Sequence, residues 1–410
     1  MLCAMRKTEI RSLSEIAAGS LAQPGVTARE VHSAVAGRVF EKLGSLAAPV
    51  RIVHDGVSRA SYGAVAGALR APVRTGGRLI AERAREGSDA LADSLPGGLA
   101  LGALNGIAGD RLARDHPDLA LGLTVRRRGR EVPLDPDALA EAFPEATPRI
   151  AVFIHGLCGT EDTWRLGSRG ANPSPTYGAR LRDDLGITPV YVRYNTGLRV
   201  SDNGRELAAA VERLATSWPV DVAEIALIGH SMGGLVARSA CHYGKGDDHE
   251  WTESLRHVFC LGTPHLGAPL ERAANVAGWA LARLPESRPF GDLFFNRRSV
   301  GIKDLRFGNC VEEDWCDCDP DEFLRDRCRE VPFLPNATYY FVGATLTKRP
   351  DGLGRLFGDL LVQYPSASGS GRRRRIPFEV ENGHHLGGAH HLRLLNHPDV
   401  YAQIRKWIER

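Results

Sequence analysis

The chain has 410 residues, 43% hydrophobic and 25% charged, with a formal net charge of +3 at pH 7. That length holds one large catalytic domain with an accessory segment, or two mid-sized domains. The near-balanced charge excludes a chain-wide trap for polyanions, so no nucleic-acid partner is expected.

Residues 1 to about 115 are rich in Ala, Gly and Arg. "RASYGAVAGALRAPV" (59–73) reads as a small-residue helix, and "GRLIAERAREGSDALADSL" (77–95) spaces its apolar residues with helical period. A helical accessory region packed for stability is the plain expectation, with docking to a partner or a membrane as the sharper one. The first twenty residues are interrupted by charge and contain no signal-peptide core. The longest uncharged run, 94–109, is too short and too glycine-rich to span a bilayer. A cytoplasmic protein is expected, with peripheral membrane contact left open.

From about 116 to 410 the texture is that of a catalytic α/β domain. "LGLTVRRRGREVPLD" suits a β-hairpin; "RIAVFIHG" (149–156), "TPVYVRYN" (188–195), "AEIALIGH" and "LRHVFCLGTPH" suit buried parallel strands. "SDNGRELAAAVERLATSW" (201–218) suits an amphipathic helix with a Ser/Asp cap. "ATYYFVGATL" (337–346) and "RRIPFEVE" (374–381) suit the last strands, and "PDVYAQIRKWIER" the closing helix. Strands alternating with helices predict a mostly parallel sheet covered on both faces. The irregular stretch 263–336 breaks that rhythm and is expected to form an insertion or lid, with "NVAGWALARL" (275–284) as an apolar wall for an acyl chain.

Two basic runs, Arg126–Arg130 and Arg372–Arg375, read as solvated turns, with contact to an anionic membrane surface as the alternative. Four of the eight cysteines, Cys310, Cys316, Cys318 and Cys328, are spaced C-x5-C-x-C-x9-C, unlike a paired zinc knuckle. Free thiols, one or two disulfides and an irregular metal site all stay open.

The chemistry centres on "LIGHSMGGLVAR", where Gly229-His230-Ser231-Met232-Gly233 joins a strand to a helix. A sharp turn there lifts the Ser231 hydroxyl above the sheet edge; the competing reading is a serine that caps the helix. A nucleophilic serine needs a base, an acid that orients it and donors for an oxyanion. "GDLLVQYPSASG" supplies Asp359, with Asp351 as the alternative acid. "GGAHHLRLLNHPDVY" supplies His391, with His390 beside it. Upstream, "FIHGLCGT" offers the Leu157 amide, and the elbow offers that of Met232. His155 and His230 read as packing residues, Cys158 as a small buried one, and His384 and His385 as incidental rather than a metal site.

From 150 to 410, "FIHGLCGT", "LIGHSMGGLVAR", "LGTPHLGAPLER", "GDLLV" and "HHLRLLNHPDVY" resemble the lipase and esterase branch of the α/β-hydrolase superfamily. The resemblance implies that fold, a catalytic set of Ser231, Asp359 and His391, and an oxyanion hole from the Leu157 and Met232 amides. It implies hydrolysis of a lipid-like or medium-chain acyl ester through an acyl-enzyme, with no metal or organic cofactor. Phospholipase, thioesterase, glycolipid deacylase and acyltransferase chemistry are alternatives on the same apparatus. A membrane-associated scaffold with an inactive hydrolase domain is the alternative from another class.

Overall fold

A computed structural model describes residues 5–43, 48–83, 90–166, 168, 175–269, 271–273, 298–317, 326–372 and 374–410. They fall into two compact units. One comprises residues 1–91, 115–119 and 273–298; the other comprises 92–114, 120–272 and 299–410. The expected acyl-chain wall at 275–284, most of the rest of the insertion, and Cys318 lie outside the described residues.

The first unit is built on two long helices, Lys7–Leu43 and Ala48–Arg83. Their contacts run in opposite sequence sense. Arg74 pairs with Glu15 at 2.6 Å, and His54 meets His32 at 3.3 Å. The helices are therefore antiparallel. Small residues make the seam: Ala18, Ala22 and Ala81 are wholly buried. Glu9 is buried too, and its carboxylate accepts the Leu91 and Arg6 amides, which anchors the start of the first helix.

The second unit holds an eight-stranded sheet: β1 (Thr124–Arg127), β2 (Arg130–Val132), β3 (Arg149–Ile154), β4 (Thr188–Arg193), β5 (Glu224–His230), β6 (Leu255–Leu261), β7 (Thr338–Thr345) and β8 (Gly383–Gly387). Its order is β2-β1-β4-β3-β5-β6-β7-β8, and only β1 runs antiparallel to the rest. Arg128 and Gly129 turn the hairpin, both at positive φ, as a two-residue loop between twisted strands requires.

Both sheet faces are covered, which is why the central strands β3 and β5 are apolar between their ends. In β3, Ile150, Val152 and Ile154 face one core, with Leu207, Val211, Leu235 and Val236 of the helices Val200–Thr216 and Met232–Gly246. Ala151 and Phe153 face the other, with Tyr177 and Leu181 of helix Tyr177–Leu185 and Tyr401, Ile404 and Trp407 of helix Pro398–Ile408. The chain leaves β3 in opposite directions toward β4 and β5. This puts the crevice where doubly wound sheets bind ligands at the C-terminal ends of β3 and β5.

Three expectations need correction. The last strand is Gly383–Gly387, not 374–381. Pro377 lacks an amide hydrogen, and the Phe378 amide turns back onto the Ile376 carbonyl, so that stretch cannot extend the ladder. The helix expected to begin at a Ser/Asp cap begins one residue earlier, at Val200, with no side-chain cap. Finally, residues 92–114, grouped by sequence with the N-terminal helices, cluster with the sheet. Helix Leu95–Asp115 lies so close to the loop after β3 that a Cβ on Gly106 would sit 2.3 Å from the Cys158 sulfur. The glycines at 98, 102, 106 and 109 form one small-residue face that permits this approach.

No described helix is long and apolar enough to cross a membrane.

Candidate active site

Strand β5 ends at His230, and Ser231 follows with φ 55° and ψ −124°, a conformation that costs a non-glycine residue about 1–3 kcal/mol. Its amide donates to the Leu261 carbonyl at 2.8 Å, which ties the corner to the end of β6. Ser231 occupies the N-cap position of helix Met232–Gly246, yet its side chain makes no capping hydrogen bond. The helix-cap reading therefore fails, and the strain has no local return in helix stability. The turn needs glycine beside it: a Cβ on Gly233 would lie 2.2 Å from the Ile154 carbonyl oxygen. On the facing loop, a Cβ on Gly156 would lie 2.9 Å from that of Ser231.

The loop after β3 is held as firmly. Tyr194 donates its hydroxyl to the His155 carbonyl at 2.7 Å and stacks on that imidazole, ring centroids 4.4 Å apart. His155 Nε2 faces the Tyr194 amide at 3.3 Å, and Nδ1 faces the Gly156 carbonyl at 3.0 Å. Those partners fix a neutral ring with the proton on Nδ1, and burial pushes its pKa down to about 4. Cys158 sits at φ 59° and gives its amide to Thr196 Oγ1 at 3.1 Å. Among the described residues, neither the Leu157 nor the Met232 amide has an acceptor outside regular helix and strand bonding. Met232 is also the first residue of a helix, where the amides point outward and the dipole favours negative charge. Burial raises the pKa of the Cys158 thiol, which disfavours its reactive thiolate form.

Asp359 follows β7 in a tight loop that sets Leu360 at φ 85°. The carboxylate is buried: Oδ1 accepts the Leu361 and Val362 amides at 3.0 and 2.7 Å, and Oδ2 faces His391 Nδ1 at 2.7 Å. The His391 amide also donates to the Asp359 carbonyl at 3.0 Å, so backbone and side chain together orient the ring. His391 Nε2 is buried with no hydrogen-bond partner. A Cβ on Gly262 would lie 3.0 Å from the same imidazole. Ser231 and His391 therefore both pack against the Leu261–Gly262 corner. His230 stacks obliquely on His391 at 4.7 Å; burial, then the facing imidazole, holds its own pKa well below the usual range.

The alternatives separate on geometry. His390 is exposed, and Asp351 is an exposed N-cap whose side chain makes no capping hydrogen bond, whereas Asp359 is the carboxylate bonded to His391. His385 meets Thr345 Oγ1 at 2.7 Å, and no metal-binding cluster of His, Cys, Asp or Glu occurs among the described residues. Cys310, Cys316 and Cys328 are free thiols. Sequence reasoning missed the props: Thr196 and Tyr194 behind the Leu157 loop, and the glycine face of helix Leu95–Asp115. The four-residue glycine spacing was the one available signal.

Residues 145–277 match the family profile described as PGAP1-like alpha/beta domain, a span that holds Ser231 and Leu157 but not Asp359 or His391. No curated protein matches the chain. Among solved structures, the mature lipase BlEst2 of Bacillus licheniformis is 19% identical over 64% of this chain and 92% of that one, with a TM-score of 0.40. The Pyrococcus furiosus esterase PF2001 is 15% identical over 65% and 83%, with a TM-score of 0.37. EstA from Clostridium botulinum is 15% identical over 64% and 87%, also at 0.37. The mostly parallel sheet covered on both faces, with a strained serine corner between β5 and the next helix, is an α/β-hydrolase fold, and the family match spans that corner.

Proposed function

We propose that the protein is a serine carboxylic-ester hydrolase, of the lipase or esterase kind, with Ser231 as nucleophile, His391 as base and Asp359 as its orienting acid. The observation that carries this reading is the buried His391–Asp359 pair at 2.7 Å, with Nε2 unpartnered, beside a strained serine that caps nothing. His391 Nε2 takes the Ser231 proton as Oγ adds to the ester carbonyl. The Leu157 and Met232 amides receive the oxyanion, each donor contributing about 3 kcal/mol in sites of this type. His391 then protonates the leaving alcohol, and water releases the acid from the acyl-enzyme by the same steps in reverse.

A lipid-like or medium-chain ester suits the rim. Phe357, Leu360 and Leu361 on the acid loop and Leu392 beside His391 are all exposed, an apolar fringe that favours an acyl chain and peripheral contact with a membrane surface.

The test is hydrolysis of p-nitrophenyl esters of graded chain length, together with labelling by a fluorophosphonate. Wild type should turn over and label at Ser231, and Ser231→Ala should do neither. Equal hydrolysis by the two proteins, or an unlabelled Ser231 in folded wild type, would sink the proposal.

A further inference from the structure

The loop after β6 and the loop after Asp359 enclose a cavity of about 440 Å³. Ser366 joins its walls: its hydroxyl donates to the Gly267 carbonyl at 2.8 Å and accepts the Leu266 amide at 3.1 Å. Leu266 is four residues beyond Gly262, which touches His391, and Gln363 follows Val362, whose amide holds Asp359. Four residues reach no more than about 14 Å, so a single small lipid can span from this cavity to the reacting serine corner.

Three guanidinium groups line the cavity, those of Arg272, Arg372 and Arg374, against one carboxylate, Asp326. Arg272 donates from Nε to the Arg306 carbonyl at 3.1 Å and from Nη2 to the Leu266 carbonyl. Arg374 donates from Nη2 to the His265 carbonyl at 2.7 Å and to that of Phe307. Carbonyls hold Arg272 and Arg374 in place without neutralising them, Asp326 is the carboxylate that faces both, and Arg372 stands exposed at the rim. Among the described residues, none of the three arginines forms an ion pair, and Arg374 Nε is buried with no partner. Asp326 is partly engaged, since it accepts the Cys328 amide at 3.0 Å. Excess positive charge is therefore held in a concave wall beside the site. A solvated turn residue would have no reason to be drawn inward as Arg374 is.

We propose that this cavity is a subsite for a phosphate group carried by the ester substrate, so that the substrate class is a phosphate-bearing acyl ester. The inference rests on the esterase reading for the role of the bound ester. The remaining donors of Arg272 and Arg374, with the exposed Arg372 at the rim, match a phosphate dianion in charge better than a monoanionic carboxylate. Arg272, Arg372 and Arg374 hold the phosphate while the acyl carbonyl reaches Ser231.

Binding tests this without turnover. Calorimetry on Ser231→Ala compares a short-chain 1-acylglycerol 3-phosphate, the matching neutral 1-acylglycerol, and inorganic phosphate. The phosphorylated ligand should bind at least ~10-fold tighter than the neutral one, and R372Q or R272Q should each remove ~10-fold of that preference. Arg372 is exposed and supports no other group, so R372Q keeps the test valid if R272Q fails to fold. Inorganic phosphate should bind weakly and be displaced by the acylated ligand. Equal binding of the two acylated ligands, or a preference untouched by R372Q, overturns the proposal. Simultaneous binding of inorganic phosphate and the acylated ligand overturns it too, because the site then serves a free anion. Failure of the esterase reading would appear separately, as an unlabelled Ser231 with the anion preference intact.

Discussion

Glycine and the large apolar residues have opposite surroundings in the two units. In the helices Lys7–Leu43 and Ala48–Arg83, a Cβ added at Gly19, Gly63 or Gly67 would meet nothing within 4 Å. In the sheet unit, one added at Gly233 or Gly156 would collide with the backbone of β3 or with Ser231 itself. The same inversion holds for bulk. Phe153, Ile228 and Trp407 are wholly buried, whereas Ile52 and Val57 are 71% and 61% exposed. The sheet unit is a fixed arrangement in which close approach is required. The helical pair is held by a seam of small residues, with a close approach at Gly77 to Ser14, and leaves much of its remaining surface open.

The largest expected contrast is catalytic. Asp359→Asn keeps an acceptor for the Leu361 and Val362 amides but removes the charge that orients His391. Ester turnover should fall by about 10⁴-fold with the fold retained. Gly63→Ala should leave kcat and KM unchanged. A fall below tenfold for Asp359→Asn would mean that another group orients the base.

Next come the glycines by stability. Gly233→Ala places a methyl group 2.2 Å from a carbonyl in the central sheet, and should lower unfolding free energy by about 3 kcal/mol or more, with loss of activity. Gly63→Ala lies in an open helix interior and should raise it by about 0.5–1 kcal/mol. Urea midpoints read both signs. A destabilising Gly63→Ala would show that the helix face around it is covered in solution.

Acid should weaken the sheet unit through its buried imidazoles. His155 is held near pKa 4 by burial, against 6.5 when unfolded, and burial likewise pushes His230 and His265 well down. A depressed histidine leaves more protons on the unfolded chain, so stability is full above about 6.5 and is lost as pH falls toward the folded value. His155 alone accounts for a loss on the order of 2 kcal/mol between pH 7.5 and 5. Asp304 opposes it: burial raises its pKa to about 6 despite the Arg199 ion pair, so its protonation favours the folded state in acid, by on the order of 1 kcal/mol. The net sign is a loss. Urea midpoints at pH 7.5 and 5 check it, with the lost amide protection expected in β3 and β5. A higher midpoint at pH 5 would refute it.

The strand ends were legible because a buried parallel strand leaves few options. "RIAVFIHG" and "AEIALIGH" are apolar at nearly every position, and each ends at the glycine or histidine that opens a site loop. Strand β8 was not legible. "GHHLG" has poor strand formers and pairs with β7 alone, so its conformation comes from tertiary pairing. "RRIPFEVE" has better formers but is broken by Pro377. The role of Arg374 was hidden for a similar reason. A basic run usually means solvent, and only the carbonyls of His265 and Phe307, distant in sequence, draw this arginine inward. Helix Leu95–Asp115 was misgrouped because its glycines were weighed only against a membrane span and not as one face in close approach.

The smallest expected effect sharpens the comparison most directly on the helical side. Ile52 and Val57 stand largely exposed on helix Ala48–Arg83. If water is their neighbour, replacing each by serine removes no buried apolar area, and the stability of the chain should change by less than about 0.5 kcal/mol. A second copy of the chain covering that face would bury each side chain, and the same substitutions would then cost about 1.5–3 kcal/mol apiece and make the urea midpoint depend on protein concentration. Midpoints for Ile52→Ser and Val57→Ser at two concentrations tenfold apart distinguish the two cases. A small, concentration-independent change leaves the seam of alanines as the hold on this unit. A large one assigns its outer face to self-association.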